Sequence, residues 1–329
     1  MLSLFFVIVF CLVFAYTNGS NDSANAISIL ISTHAISPRM AIVYGAFMNL
    51  CGAFLSLKIA ETISGNLFDA ETLNTTAILG AILGAIFWNF STWYFALPSS
   101  TSYSLIGSLV GATIAKSGWS SLHLAGIGKY VFLPMIIAPV AGSLVSFSFF
   151  SILLLGLRSF SPVVVSKLFF RFQLLSSGAI AFSHGANDIP KIVAIIGLSL
   201  MVKNGNYDFS VSHWFVFLCA LAMGVGCIFG GIRTVRVMGT KIVKMRSLEG
   251  FCAEISAASL IISSSLLGIP VSTSHIVSGS IIGVGCRKRI NGVRWQVFGR
   301  IVSAWILTIP MAGLFGALFY LIFSFFQSN

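Results

Sequence analysis

Asp22 and Asp188 each lie deep in an apolar stretch, and each directly follows an asparagine. The chain reads Gly19-Ser20-Asn21-Asp22 in one place and Gly185-Ala186-Asn187-Asp188 in another. A bare carboxylate at the centre of a bilayer costs at least a few kcal/mol, so each needs a partner, a proton or a bound cation. The amide oxygens of Asn21 and Asn187 complete oxygen-only ligand sets, which suit a hard cation such as sodium. Gly19 and Gly185 are expected to let the helix unwind there and free backbone carbonyls for the same ion. Asn and Asp are also good N-caps, so two helix caps at the membrane faces are the plainer explanation. The recurrence of the motif at equivalent places in two halves favours a binding site.

A second recurrence is rich in hydroxyls. Pro98 to Ser102 reads Pro-Ser-Ser-Thr-Ser, and Pro270 to Ser274 reads Pro-Val-Ser-Thr-Ser. Ser100, Thr101 and Ser102, with Ser272, Thr273 and Ser274, are neutral donors at the head of apolar, glycine-studded stretches. The free N–H groups and positive dipole end of a half-helix starting there favour an anion. Two such tips facing each other would make a pocket of donors for a tetrahedral oxyanion. Serine-rich turns are common, which is the plain alternative. Pro98 and Pro270 are expected to end the descending arms.

Three further groups stand near these motifs. Lys191 follows Asp188 by three residues, one turn on and on the same helix face. It is either a structural ion pair or a built-in cation replacing a transported one. Its first-half counterpart is Asn25, so the two cation sites around Asn21, Asp22, Asn25 and Asn187, Asp188 are not equivalent. Glu254, another embedded carboxylate, is a candidate proton carrier. His184 and His275 flank the motifs, and a packing or hydrogen-bonding role is expected of each.

The elements that must position these residues are set by composition. The chain is 57% hydrophobic and 8% charged, where a soluble domain needs about a quarter charged residues. Its solvent is therefore lipid. The formal charge of +11 sits in short loops such as Arg233 to Arg246 and Arg287 to Arg300. That is the positive-inside bias of membrane proteins and argues against nucleic acid. The six cysteines form no CxxC pair and read as packing residues. The N-terminal apolar run lacks a basic leader region and is expected to be a retained span. No zinc-type His/Glu motif, nucleotide loop or nucleophile–base pair is present, so neither an enzyme nor an ATP-driven pump is expected.

From Ser272 to Cys286 there are roughly fifteen residues, about 22 Å of helix against a hydrocarbon core of about 30 Å. A re-entrant hairpin fits better than a crossing. Placing Arg39, Arg158 to Arg171 and Arg233 to Arg246 on the cytoplasmic side makes the two hairpins enter from opposite faces. The expected fold is an all-α polytopic membrane protein, an inverted repeat with interrupted helices and two re-entrant helical hairpins. The first repeat is residues 1–157, a short cytoplasmic linker 158–171, and the second repeat 172–329, with both termini outside.

The stretches "GSNDSANAIS", "FSHGANDIPK", "WNFSTWYFALPSSTSYSLIGSLVGA", "MGTKIVKM", "LLGIPVSTSHIVSGSIIGVG" and "VRWQVFGRIVSAWILTIP" resemble the inorganic phosphate transporter (Pit-type) permeases over almost the whole chain. The resemblance implies symport of inorganic phosphate with sodium or a proton by alternating access, in a multi-pass protein of the bacterial inner membrane that forms homodimers. It implies cation sites around Asn21, Asp22, Asn25, Asn187 and Asp188, with sodium at Asp22 and Asp188, and phosphate between the Ser/Thr tips. Pro190 and Lys191 depart from the symmetrical motif and put the second sodium site in doubt. Lysine there resembles bacterial members, for which proton coupling or carriage of a metal–phosphate complex is implied. Arsenate would follow phosphate on size and charge. No cofactor is expected beyond the co-transported ion. A sulfate symporter of the same fold, and less favoured an anion channel, are the alternatives.

Overall fold

The computed structural model describes residues 2–32, 36–68, 70–95, 99–205, 209–238 and 245–328, with side chains left out at 2, 23–29, 32, 70, 230–238 and 328. Pro98 and the side chain of Asn25 therefore lie outside the described residues. The described chain is almost wholly helical. In order, the α-helices are α1 (Leu2–Ser32), α2 (Pro38–Gly52), α3 (Lys58–Asn66), α4 (Thr75–Tyr94), α5 (Thr101–Ser117), α6 (Leu124–Ile127) and α7 (Leu133–Gly156). They continue with α8 (Pro162–Asn204), α9 (His213–Met238), α10 (Ser247–Leu266), α11 (Thr273–Lys288) and α12 (Trp295–Ser328). Among the described residues, five helical stretches are long and apolar enough to cross a membrane, and His213–Phe229 is a shorter apolar helix.

Local chemistry fixes the helix ends. Asn74 caps α4 by accepting the Ala77 N–H at 2.8 Å, and Ser100 caps α5 by accepting the Tyr103 N–H at 3.3 Å. α8 starts on the Ser161 cap with Pro162 in its first turn and stops at Gly205, whose φ of 64° is left-handed. The short arms are as expected. α5 has 17 residues and α11 has 16, about 25 Å of helix each. α4 and α5 run antiparallel: Ser104 donates to Asn89 Oδ1 at 2.7 Å, Ser108 to the Ala81 carbonyl at 2.6 Å, and Lys116 to the Thr72 carbonyl.

One expectation is corrected. α1 is unbroken through Gly19 to Asp22, and α8 is unbroken through Gly185 to Asp188 and past Pro190. Among the described residues near these motifs, the chain leaves helical form just before Thr101 and Thr273, at residues 99–100 and 269–272. Gly19 and Gly185 serve close approach instead. A Cβ on Gly19 would overlap the Met223 carbonyl of α9, and one on Gly185 would overlap the Asn49 carbonyl of α2. Lipid offers helices no hydrophobic drive to associate, so backbones meet where side chains are small.

The packing is reciprocal. α1 lies on α9 as α8 lies on α2, and α5 lies on α12 as α11 lies on α7. The contacts repeat in detail: Gly111 of α5 meets the Gly313 backbone of α12, and Gly283 of α11 meets the Ser143 backbone of α7. The largest core joins α1, α4, α5, α8 and α9. α8 is buried without a break from Ser183 to Ser199, whereas α7 and α12 present Ile136, Leu144, Leu307 and Leu314 outward.

Candidate functional site

Helix spacing brings five polar side chains to one place. α1 offers Asn18 and Asp22, four residues apart and so on one face. α8 offers His184 and Asp188 at the same spacing, with Lys191 three residues on. The heads of α5 and α11 close over them. All of these side chains are buried, Asp188 at 0% exposure and Lys191 at 1%.

Asp188 is held from several directions. Its Oδ1 accepts from Lys191 Nζ at 2.8 Å, Asn187 Nδ2 at 2.8 Å and Ser102 Oγ at 3.2 Å. Its Oδ2 accepts from Asn18 Nδ2 at 3.2 Å and lies 3.1 Å from His184 Nε2. Lys191 also donates to Ser102 Oγ at 2.7 Å and to the Val271 carbonyl in the second hairpin tip at 2.6 Å. Asp22 accepts from Thr101 Oγ1 at 2.5 Å and lies 4.0 Å from His184 Nε2. The two tips touch: Ser100 Oγ donates to Ser272 Oγ at 2.8 Å, and Ser272 and Ser274 are 2.9 Å apart.

The tautomer of His184 follows from its other side. Nδ1 lies 3.0 Å from Asn49 Oδ1, whose amide nitrogen points at Cys227. An amide oxygen accepts, so Nδ1 carries the hydrogen. Nε2 then faces two carboxylates, and either a proton or a cation must stand between them. Asp22, His184 and Asp188 each offer a ligand atom, all within 4.8 Å of one another. Three ligand groups at that spacing fit a small cation.

Most of the expected residues meet here. Asp22, Thr101, Asp188, Ser102 and Lys191 join in one hydrogen-bonded network through Asn18, and Ser100, Ser272 and Ser274 bond to one another at the adjoining tips. Thr273 is buried as the first residue of α11. Asn187 donates to Asp188 and to the Val271 carbonyl, and its own Oδ1 is buried with no hydrogen-bond partner. Asn21 turns away, donating to the Asn89 carbonyl of α4 at 3.4 Å. Glu254 is elsewhere, accepting from Ser176 at 2.5 Å and Ser177 at 2.8 Å, about two helical turns along α8 from His184. His275 stacks on Trp305 with centroids 3.7 Å apart, a packing role. Asn18 and Asn49 were not anticipated. Asn18 stands four residues before Asp22 as His184 stands four before Asp188, a polar repeat visible in the sequence.

Comparison with known proteins decides the family. The pattern of the phosphate transporter family matches residues 18–316. This chain belongs to the phosphate transporter family. A probable low-affinity inorganic phosphate transporter of Bacillus subtilis is 36% identical over 326 residues, covering 98% of each chain. Its counterpart in Rhizobium meliloti is 38% identical over 316 residues, covering 95% of this chain and 94% of that one. A solved structure, the sodium-dependent phosphate transporter, superposes with a TM-score of 0.92 at 22% identity, covering 99% of this chain and 100% of that one. That likeness establishes the fold of this family member. The phosphate transporter is thus a multi-pass inner-membrane protein and not an enzyme.

Proposed function

We propose that this phosphate transporter is a secondary symporter in which cation binding releases the hydroxyls that phosphate needs. The observation that carries the reading is that Thr101 and Ser102 spend their hydrogens on Asp22 and Asp188. Those are the same hydroxyls that the head of α5 would offer an anion. A cation held by Asp22, His184 and Asp188 satisfies the carboxylates, and the hydroxyls then turn to the anion. Phosphate docks on Thr101, Ser102, Ser100, Ser272, Thr273 and Ser274, with the Lys191 ammonium beside them. Cation before anion is the order that electrostatics favours, because Asp188 already has Lys191 at 2.8 Å, whereas an unneutralised Asp22 carboxylate would repel the substrate.

Alternating access follows if the halves are inverted copies, with the division at residues 158–171. The reciprocal packing of α1 on α9 and α8 on α2, and of α5 on α12 and α11 on α7, supports that reading. So do the basic loops, which leave both termini outside under the positive-inside rule. Lys191 is a fixed cation on the second carboxylate, so the transported cation is expected beside Asp22. Sodium is supported by the name of the solved relative. A metal–phosphate complex is the second reading, favoured by His184, since imidazole nitrogen suits divalent transition metals better than sodium.

Radiolabelled phosphate uptake into proteoliposomes tests this. Imposed gradients of sodium, protons and a divalent metal are compared separately. Concentrative uptake under at least one is expected, and competition by arsenate with it. Absence of concentrative uptake under all three contradicts symport, and preference for sulfate contradicts the substrate.

A further inference from the structure

Two cavities outside the polar cluster are walled by equivalent positions of the two halves. One, of about 640 Å³, lies between α4 and α12, walled by Trp88, Thr92, Gln296, Arg300, Ser303 and Leu307 among others. The second, of about 330 Å³, lies between α10 and α7 with the turn that precedes it. Lys129, Tyr130, Leu133, Ile137, Leu260 and Ser264 are among its walls. Counting from Ser100 to Ser272, Trp88 answers to Leu260 and Thr92 to Ser264. Gly313 and Ser143 face the equivalent glycines of α5 and α11. Counting from that pair, Gly299 and Arg300 answer to Lys129 and Tyr130, and Ser303 and Leu307 to Leu133 and Ile137.

Each groove joins an exposed cation to an apolar interior. On α12, Gln296 and Arg300 lie in the first two turns, with Ala304 and Leu307 beyond them. The positive-inside placement puts that end of α12 at the cytoplasmic face, and Lys129, just before α7, at the outer face. No aspartate or glutamate is among the described walls of either groove. None of the ion pairs among the described residues uses Arg300 or Lys129, and Lys129 lies 5.1 Å from the centroid of the Tyr130 ring. Both grooves face lipid, with Leu307 53% and Ile137 51% exposed. Each also reaches a hairpin tip. Thr92 Oγ1 accepts from Ser99, the neighbour of Ser100, at 2.7 Å. Val271, a wall of the second groove, gives its carbonyl to Lys191 and Asn187.

We propose that the two grooves are equivalent binding sites for anionic phospholipid, one in each leaflet, with the headgroup phosphate on Arg300 or Lys129 and an acyl chain in the apolar end. A cation without a carboxylate beside it selects an anionic headgroup, since the ammonium of a zwitterionic one would find no partner there. Arg300 matches a phosphate with forked donors, and basic residues at the ends of spans reach the headgroup level. The leucine-walled interior suits a chain and offers a hydrated inorganic ion nothing in place of its water. A seated chain backs the first arm of each hairpin, α4 or α10, beside the tip.

Native mass spectrometry of the purified chain tests this, with dioleoylphosphatidylglycerol or dioleoylphosphatidylcholine added in detergent. A pair of tightly held phosphatidylglycerols per chain is expected, and no comparable retention of phosphatidylcholine. Arg300→Gln and Lys129→Gln are each expected to hold one of the pair several-fold more weakly, and the double variant both. Ser303→Phe keeps the charge and fills the groove, so it stands in if Arg300→Gln fails to fold, and it is expected to lose one lipid as well. Unchanged retention in these variants overturns the proposal. So does displacement of the lipid by inorganic phosphate, which would make the grooves sites for the free ion. A disulfide between two copies of Leu307→Cys, absent from the parent chain, would mark an interface and overturns it too. Phosphate uptake is then compared in vesicles with and without phosphatidylglycerol. A several-fold gain in the parent chain and none in the double variant are expected, and an equal gain in both overturns the link to the hairpins. Binding is read without transport, so a failed symport reading shows itself separately.

Discussion

At the residue scale, the site is an economy of hydrogens. Thr101 has one hydroxyl hydrogen and donates it to Asp22 at 2.5 Å, so it has none for an anion until the carboxylate is otherwise satisfied. Thr101→Val removes that hydrogen with little change of volume, and phosphate affinity is expected to fall while cation binding persists. Thr101→Ser is expected to retain both. Equilibrium binding of labelled phosphate to the purified variants checks this. Asp22→Asn and Asp188→Asn are each expected to abolish cation-coupled uptake, and full uptake by both would refute their role. Lys191 and Asp188 form a buried pair at 2.8 Å, and removing one partner of such a pair costs about 3–5 kcal/mol. Lys191→Asn is expected to lower thermal stability and to add a dependence on sodium, which would recover stability as sodium is raised. A sodium-independent loss would make Lys191 a structural partner only. The carboxylates, the lysine and the hydroxyl clusters were legible because charge and hydroxyls are conspicuous in an apolar chain. Asn49 was not, since a single amide in a helix carries no distinctive spacing until the neighbouring helix is known, and Asn18 was legible only through the four-residue spacing it shares with His184.

At the element scale, the glycines decide how close the helices come. Gly19 and Gly185 read in the sequence as points of unwinding, yet α1 and α8 pass them intact. The physical reason is that a missing Cβ serves two ends, a broken helix or a near neighbour. Only the partner backbone, Met223 or Asn49, tells which. The short lengths of α5 and α11 were legible because the apolar stretch after each Ser-Thr-Ser cluster is a local count. A test at this scale uses the equivalent pair Gly111 and Gly283. Gly111→Ala and Gly283→Ala each drive a methyl into the backbone of the opposing helix, and overpacking of this kind costs about 1–3 kcal/mol. Similar losses of thermal stability in detergent are expected from both. A cost at one position alone would count against the equivalence of α5 on α12 and α11 on α7.

At the scale of the molecule, two reciprocal sets of helices meet on one buried cluster, and each set contributes a carboxylate and a hydroxyl tip. Neither half holds the site alone: Asn18 of α1 reaches Asp188 of α8, and Ser100 reaches Ser272. Under the proposed alternating access, a relative movement of the two sets of helices would break and remake these bonds, giving two discrete end states. By linkage, a cation that tightens phosphate binding must itself be tightened by phosphate to the same degree. The most direct measurement is equilibrium binding of radiolabelled phosphate to the purified protein, with and without saturating sodium, magnesium or protons. Phosphate affinity is predicted to rise with one of these cations, and the rise to vanish in Asp22→Asn. Phosphate bound equally tightly whatever the cation would contradict the account.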